Sequence, residues 1–146
     1  LVTLEEITVD NFEDYMEMEL PEHQRGYLSS NAFSIAQAKY YDDYIPRGIC
    51  HDGKPAGFLL YDRKSNDNVG EYGIYRFMVD HEQQGKGIGR QAMALLLAEL
   101  KAKPDVKLIT ICYKPDNANA QAFYRSFGFE ETGLDAIGEM IAVIHP

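Results

Sequence analysis

The sequence predicts an α/β fold, a single domain over residues 1–146 built on one sheet of mixed strand direction. Three observations predict it. Strand-like and helix-like patterns alternate in the order strand, two helices, three strands, helix, strand, helix, two strands. The pair Asp52-Gly53 suits the positive-φ positions of a tight turn between two of those strands. A glycine-rich turn, Gly85–Gly89, links an aromatic strand to an amphipathic helix.

Each element has its own signal. Val2–Val9 reads as a short strand, and Asp10 or Asn11 caps a helix running to about Leu20, where Pro21 ends it. Asn31 opens a second helix, with Phe33, Ile35, Ala36 and Tyr40 spaced for one buried face. Residues 47–51 and 54–61 are strands flanking Asp52-Gly53, and Arg63–Asn68 is a polar loop. Tyr72–Asp80 is a third central strand. The helix Ile88–Ala102 turns Ile88, Ala92, Leu95, Leu96 and Leu100 inward, and Pro104 lies just past its end. Val106–Tyr113 is a buried-strand run, and Asn117–Ser126 is a short helix broken by Gly128. Strands at Phe129–Thr132 and Glu139–Ile144 complete the order.

With 45% hydrophobic and 12% aromatic residues, 146 residues bury a core without metals or disulfides, and disorder is excluded. No apolar run approaches the roughly 20 residues that span a bilayer. The acidic N-terminal stretch lacks the basic and apolar regions of a secretion signal, so a soluble, cytoplasmic protein with no membrane partner is expected. Cys50 and Cys112, far apart in apolar sequence, are expected as reduced core residues. The scattered histidines offer no metal site. A net charge of −9 argues against a nucleic-acid partner. The charge is uneven. Residues 1–24 carry Glu5, Glu6, Asp10, Glu13, Asp14, Glu17, Glu19 and Glu22 with no Lys or Arg, whereas bases outnumber acids over residues 86–125.

Chemistry concentrates in Phe77–Arg90, FMVDHEQQGKGIGR. Glycines at 85, 87 and 89 let backbone N–H groups approach a ligand closely, and the helix that starts there adds free N–H groups and the positive end of its dipole. Together they suit a pyrophosphate, with Lys86 and Arg90 available as charge at its rim. A Walker A loop is excluded because Lys86 is followed by Gly87 rather than Ser or Thr. A dinucleotide fingerprint fails on glycine spacing, and its second strand ends in Tyr113-Lys114 instead of an acid.

The pattern V-x(4)-Q-x-x-G-x-G over Val79–Gly89 resembles the acetyl-CoA-binding motif of the GNAT superfamily of N-acetyltransferases. A second block, Asn117-Ala118-Asn119-Ala120-Gln121-Ala122-Phe123-Tyr124 followed by Arg125-Ser126-Phe127-Gly128-Phe129, resembles that superfamily's N-x-x-A-x-x-hydrophobic-Y-x-x-x-G-F signature. The resemblance implies a mixed, mostly antiparallel sheet of six to seven strands flanked by about four helices. It implies acetyl-CoA as co-substrate. Phe77 and Val79, with Met78 between them, would offer strand backbone to the pantetheine arm. Gln84, Gly85, Lys86, Gly87, Ile88, Gly89 and Arg90 would wrap the pyrophosphate, and Asn117 and Ala120 would flank the thiol end. Tyr124 sits where many members place a general acid for the departing thiolate, or packs as a core aromatic. Because an alkylammonium must lose a proton before it attacks, Glu71 is the expected base, acting through water.

The run His23-Gln24-x-x-Tyr27-x-x-Ser30-Asn31-Ala32-x-Ser34, with Ile74–Asp80, resembles short bacterial spermine/spermidine acetyltransferases. A polyamine is therefore the expected small-molecule acceptor, with Glu17, Glu19 and Glu22 as partners for its ammonium groups. Asp42 and Asp43, with Tyr40, Tyr41 and Tyr44, offer further carboxylate and cation–π contacts. Other amines (aminoglycosides, amino acids, protein N-termini), or a non-catalytic acetyl-CoA sensor, are the alternatives, and a homodimer is compatible with all of them.

Overall fold

The structure, a computed structural model, describes residues 1–22, 25 and 29–146. His23, Gln24 and Tyr27, part of the run that resembles polyamine acetyltransferases, lie outside the described residues. Strand β1 (Val2–Glu6) leads into helices α1 (Phe12–Met16) and α2 (Asn31–Tyr40). Strands β2 (Tyr44–His51), β3 (Lys54–Asp62) and β4 (Glu71–Val79) follow, then helix α3 (Ile88–Lys101) and strand β5 (Leu108–Tyr113). Helix α4 (Ala118–Arg125) and strands β6 (Glu130–Leu134) and β7 (Met140–Ile144) complete the order. All seven strands share one sheet, ordered β1-β2-β3-β4-β5-β7-β6, and every neighbouring pair is antiparallel except β4–β5. The expected mixed, mostly antiparallel architecture is the one observed.

Local chemistry explains the connections. The β2–β3 turn holds Asp52 at φ 52° and Gly53 at φ 80°, the left-handed pair that a two-residue hairpin demands. The parallel β4–β5 pair needs a crossover, and α3 supplies it. Helix α3 buries Ile88, Ala92, Met93, Leu96, Leu97 and Leu100 against one sheet face. Leu95, expected inside, is 40% exposed. At about 100° per residue it lies on the flank of that stripe, and Met93 and Leu97 take the inner positions.

The other face is covered by α1 and α2, over a cluster of Tyr15, Cys50, Phe58, Leu60 and Met78. Gly48 is required there, because a Cβ at this position would collide with the Tyr15 ring. The expected buried face of α2 is wrong. Phe33 and Tyr40 are exposed, and the helix buries Asn31 and Ser34 instead. Asn31 docks its side chain on the end of α1: Nδ2 contacts Met78 Sδ at 3.6 Å and donates at 2.9 Å to Tyr15 O, which also accepts the Glu17 N–H. Apolar periodicity alone does not register such a polar dock.

Strands β4 and β5 stay together for only four residue pairs, from Glu71↔Leu108 to Ile74↔Ile111. Beyond that they part. Across β3, Tyr61 pairs with Ile74 but Leu60 pairs with Arg76, so Tyr75 is an extra residue in β4. Such a bulge bends its strand and resets the alternation of side chains. Tyr72 and Ile74 pack on the α3 side and so do Phe77 and Val79, while Tyr75 and Met78 pack on the α1–α2 side.

Candidate active site

The fork between β4 and β5 opens a cleft of about 670 Å³. Its walls are Phe77, Met78 and Val79 from β4, the loop from Gln83 to Arg90, and Cys112 and Tyr113 from β5. Asp116 to Ala120, Phe123 and Tyr124 around α4 close it, and Leu20 reaches in from the α1–α2 segment. The Asp80 N–H bonds Ala56 O on the β3 side at 2.8 Å. Strand alternation then turns the backbone groups of Arg76 and Met78 toward β3, and those of Phe77 and Val79 toward the gap. Side chains already occupy two carbonyls at the ends of this stretch. Arg76 Nη1 donates to Tyr75 O at 2.8 Å, and Gln84 Nε2 donates to Val79 O at 3.1 Å. The N–H and C=O of Phe77 stand between them, facing the cleft.

At the base of the cleft, Gly85 and Gly87 have φ of 83° and 76°. A Cβ built on either would meet nothing within 4 Å, so the space over these glycines is open. Gly87 is the N-cap of α3 and brings no capping side chain, which leaves the first N–H groups of the helix pointing at that space. An anion of pyrophosphate size fits this cradle. Ile88 is buried and anchors the helix start, while Gly89 lies close enough that a Cβ would touch Val79 Cγ2 at 3.5 Å. Lys86 is exposed, its Nζ bonded to Gln83 Oε1 at 3.2 Å. Arg90 faces away from the loop's crest: Nη2 donates to Ser126 Oγ at 2.8 Å, and the guanidinium lies 4.8 Å from the Phe127 ring.

Opposite, Asn117 caps α4 by accepting the Ala120 N–H at 3.1 Å, so this side chain shapes the wall rather than projecting from it. Tyr124 is half-buried among Tyr113, Phe123 and Phe129, with ring centroids 5.6, 5.3 and 5.8 Å away. No described residue bonds its hydroxyl. Burial, reinforced by the neighbouring Tyr113 phenol, pushes its pKa upward, so it keeps its proton at any ordinary pH. A protonated phenol that lines a cleft has an O–H to donate to a group bound there.

Two expectations need correction. Glu71 opens β4 at the end opposite the cleft, with its carboxylate accepting from Asn66 Nδ2 at 2.6 Å and Asn68 Nδ2 at 3.3 Å. Six residues of strand, roughly 20 Å, separate it from Phe77. A base acting through one water cannot work from there. Cys112 is exposed rather than in the core, because β4 diverges before reaching it; only Cys50 is buried. Glu17, Glu19 and Glu22 are all exposed, and they flank Leu20, which lines the cleft. Glu19 is already paired with Arg25 at 2.9 Å. The sequence reading missed Leu20, Tyr113 and Lys114 as cleft residues. The last two stood at the end of a strand parallel to the motif strand, where α/β clefts form.

These features define a forked sheet with a glycine-rich helix start open to an anionic ligand. The chain belongs to the acetyltransferase (GNAT) family, whose sequence profile matches residues 6–129. It is an acetyl-CoA-dependent N-acetyltransferase. It is similar to the spermine/spermidine N(1)-acetyltransferase of Bacillus subtilis (strain 168), with 27% identity over 97% of each chain. It is also similar to the N-alpha-acetyltransferase RimI of Mycobacterium tuberculosis, with 32% identity over 70% of this chain and 61% of the relative. Among solved structures, the aminoglycoside acetyltransferase AAC(6')-Ib with coenzyme A and kanamycin superposes with a TM-score of 0.81 at 22% identity, over 99% of this chain and 95% of that one. At that identity the likeness concerns the fold. Among the described residues no helix is long and apolar enough to cross a membrane, and no His, Cys, Asp and Glu cluster has the makings of a metal site.

Proposed function

We propose that this chain, as one N-acetyltransferase domain over residues 1–146, transfers an acetyl group directly to a primary amine of a polyamine such as spermidine or spermine. The observation that carries this reading is the acidic approach to the cleft. Glu17 and Glu22 stand exposed on either side of Leu20, which lines it. The similarity along 97% of its length to a spermine/spermidine acetyltransferase supports the same acceptor. Remote ammonium groups held by these carboxylates would add binding that a monoamine lacks.

In this reading the backbone N–H groups from Gln84 to Arg90 hold the pyrophosphate, and Phe77 and Val79 align the pantetheine arm along the open edge of β4. The Phe77 N–H faces the gap and can polarise the thioester carbonyl. The amine nitrogen bonds to the acyl carbon and gives up one N–H proton to water, while the C–S bond breaks and the sulfur leaves with the electron pair. Tyr124 donates a hydrogen bond to that sulfur. Complete proton transfer is uphill, since a free phenol is already a weaker acid than a thiol and burial weakens this one further. Tyr124 therefore stabilises charge on sulfur, and the rate gain belongs at the low end for a general acid.

The deciding experiment follows CoA release with spermidine, spermine, monoamines of similar reach, an aminoglycoside and a peptide N-terminus. The polyamines are expected to give the highest kcat/KM by at least tenfold. Equal efficiency with any other class overturns the polyamine reading, and no turnover with any amine overturns the enzyme reading.

A further inference from the structure

The cleft between β4 and β5 passes through the sheet, and its two sides differ in chemistry. On the α3 side stand Phe77, Val79, Tyr113, Phe123 and Tyr124, together with the open helix start that suits an anion. On the α1–α2 side the cleft is lined by Leu20, Met78 and Cys112. We propose that these three side chains form an apolar collar around the alkyl arm that carries the reacting amine. The collar selects acceptors whose nitrogen ends an unbranched methylene chain. The inference rests on the acetyltransferase reading above and does not need the acceptor to be a polyamine.

The placement follows from the two cores. Met78 belongs to the cluster under α1 and α2, and Leu20 packs against that cluster. Ile109, Ile111 and Tyr113 of β5 belong to the core under α3, so strand alternation turns Cys112 to the same side as Met78. Each member is fixed. The Glu19 N–H donates to Asp80 Oδ1 at 3.3 Å, and Glu19 O accepts the His81 N–H at 2.8 Å, which ties the residue before Leu20 to the end of β4. Leu20 O accepts from Arg25 Nε at 3.0 Å. Met78 is buried, with Asn31 Nδ2 3.6 Å from its sulfur, and Cys112 is held in the ladder to β7 opposite Ile141.

With the phosphates of the donor on the α3 side, the acceptor reaches the acyl carbon from the other side, past the collar. None of the three side chains carries a charge at neutral pH, and a thiol or thioether is a weak hydrogen-bonding partner. A sugar amine would bring ring hydroxyls there, and a peptide N-terminus an amide beside the reacting nitrogen. Either would give up hydration with little in return. A methylene gives up nothing, and each one removed from water adds about fourfold in binding. For a diamine or polyamine the parts then match in order: the carbon spacer lies in the collar, and the next ammonium emerges toward Glu17 and Glu22, exposed on either side of Leu20.

The test is kcat/KM for linear monoamines from ethylamine to hexylamine at one pH, with CoA affinity from calorimetric titration and folding from thermal melts. Wild type is expected to gain about fourfold per added methylene until the arm outgrows the collar. Leu20→Gln and Cys112→Ser change polarity at nearly constant volume. Each should cut the gain to about twofold or less per methylene and keep CoA affinity within about twofold. A wild-type series without slope, variants that keep the full slope, or variants that lose CoA affinity as steeply as turnover overturns the collar. So does a peptide N-terminus or an aminoglycoside acetylated as well as butylamine. Monoamines have no remote ammonium, so the slope is read apart from the acidic rim and from any polyamine preference. No turnover with any amine overturns the acetyltransferase reading, and the collar with it.

Discussion

Arg90, in the first turn of α3, bonds Ser126 at the end of α4, and its guanidinium stacks on Phe127. Ser126 Oγ in turn donates to Phe123 O at 2.6 Å. The anion-facing start of one helix is thereby clamped to the helix that carries Tyr124. Replacing Arg90 with Met removes both the bond and the stacking, and is expected to cost about 1 kcal/mol at this exposed position. Arg90→Lys should cost nearly as much, because an ammonium lacks the planar fork. Melting curves of the two variants check this, and wild-type stability in either would show that the clamp carries no weight.

Gly87→Val is expected to abolish most acetyl-CoA affinity. A φ of 76° is strained for a branched residue, and its side chain would fill the open space over the loop. Since a Cβ there meets no protein atom, folding should survive. Calorimetric titration with CoA measures the loss, and unchanged affinity in the folded variant would remove the loop from the site.

Tyr124→Phe keeps the ring packing and should lower kcat by about 10²-fold with little change in stability. The raised phenol pKa also has a signature: with the proton held well above neutral pH, Tyr124 contributes no basic limb to the profile below about pH 10. A wild-type basic limb near pH 8 that vanishes in Tyr124→Phe would contradict the assignment.

Replacing Glu17, Glu19 and Glu22 together with Gln should raise the polyamine KM severalfold and spare the acetyl-CoA KM. Raising ionic strength toward about 0.5 M should do the same to wild type, because screening shortens the reach of exposed charges. Glu19 spends its charge on Arg25, so single variants at Glu17 and Glu22 should account for most of the effect. If neither salt nor the triple variant moves the KM, the acidic rim plays no part in acceptor binding.

Alkaline stability follows from the tyrosines. Burial, then bonding to Asp105 and Glu131 respectively, pushes Tyr72 and Tyr113 up to about 12, and Tyr15, Tyr61, Tyr75 and Tyr124 shift the same way. Folded-state values raised above the ordinary value near 10 mean that stability is complete below about pH 10. It is lost as the pH rises toward the folded values. Melting temperature should be flat with respect to these groups up to about pH 9.5 and fall steeply beyond it. A flat profile through pH 11 would contradict the shared shift.

The sheet, the hairpin and the glycine turn before α3 were legible because each depends on local rules: alternation, a left-handed Asp-Gly pair, glycines at a helix start. Asn31 was not, since its side chain docks on a carbonyl of α1 sixteen residues away. Glu71 was misplaced for a related reason. Sequence shows that it belongs to the motif strand but not which end of that strand the cleft occupies. The bulge at Tyr75 decides that, and a bulge is visible only once β3 is paired against β4.

The four-pair seam between β4 and β5 divides the sheet into two panels over one shared core, β1 to β4 on one side and β5, β7 and β6 on the other. Past Ile74 the first panel ends in a raw edge, with the amide of Phe77 turned outward where a strand should be. A ligand bearing amides of its own, laid along that edge, would finish the carpentry and bolt the panels together. Binding along that edge would therefore add inter-strand bonds across the fork that the polypeptide alone does not make.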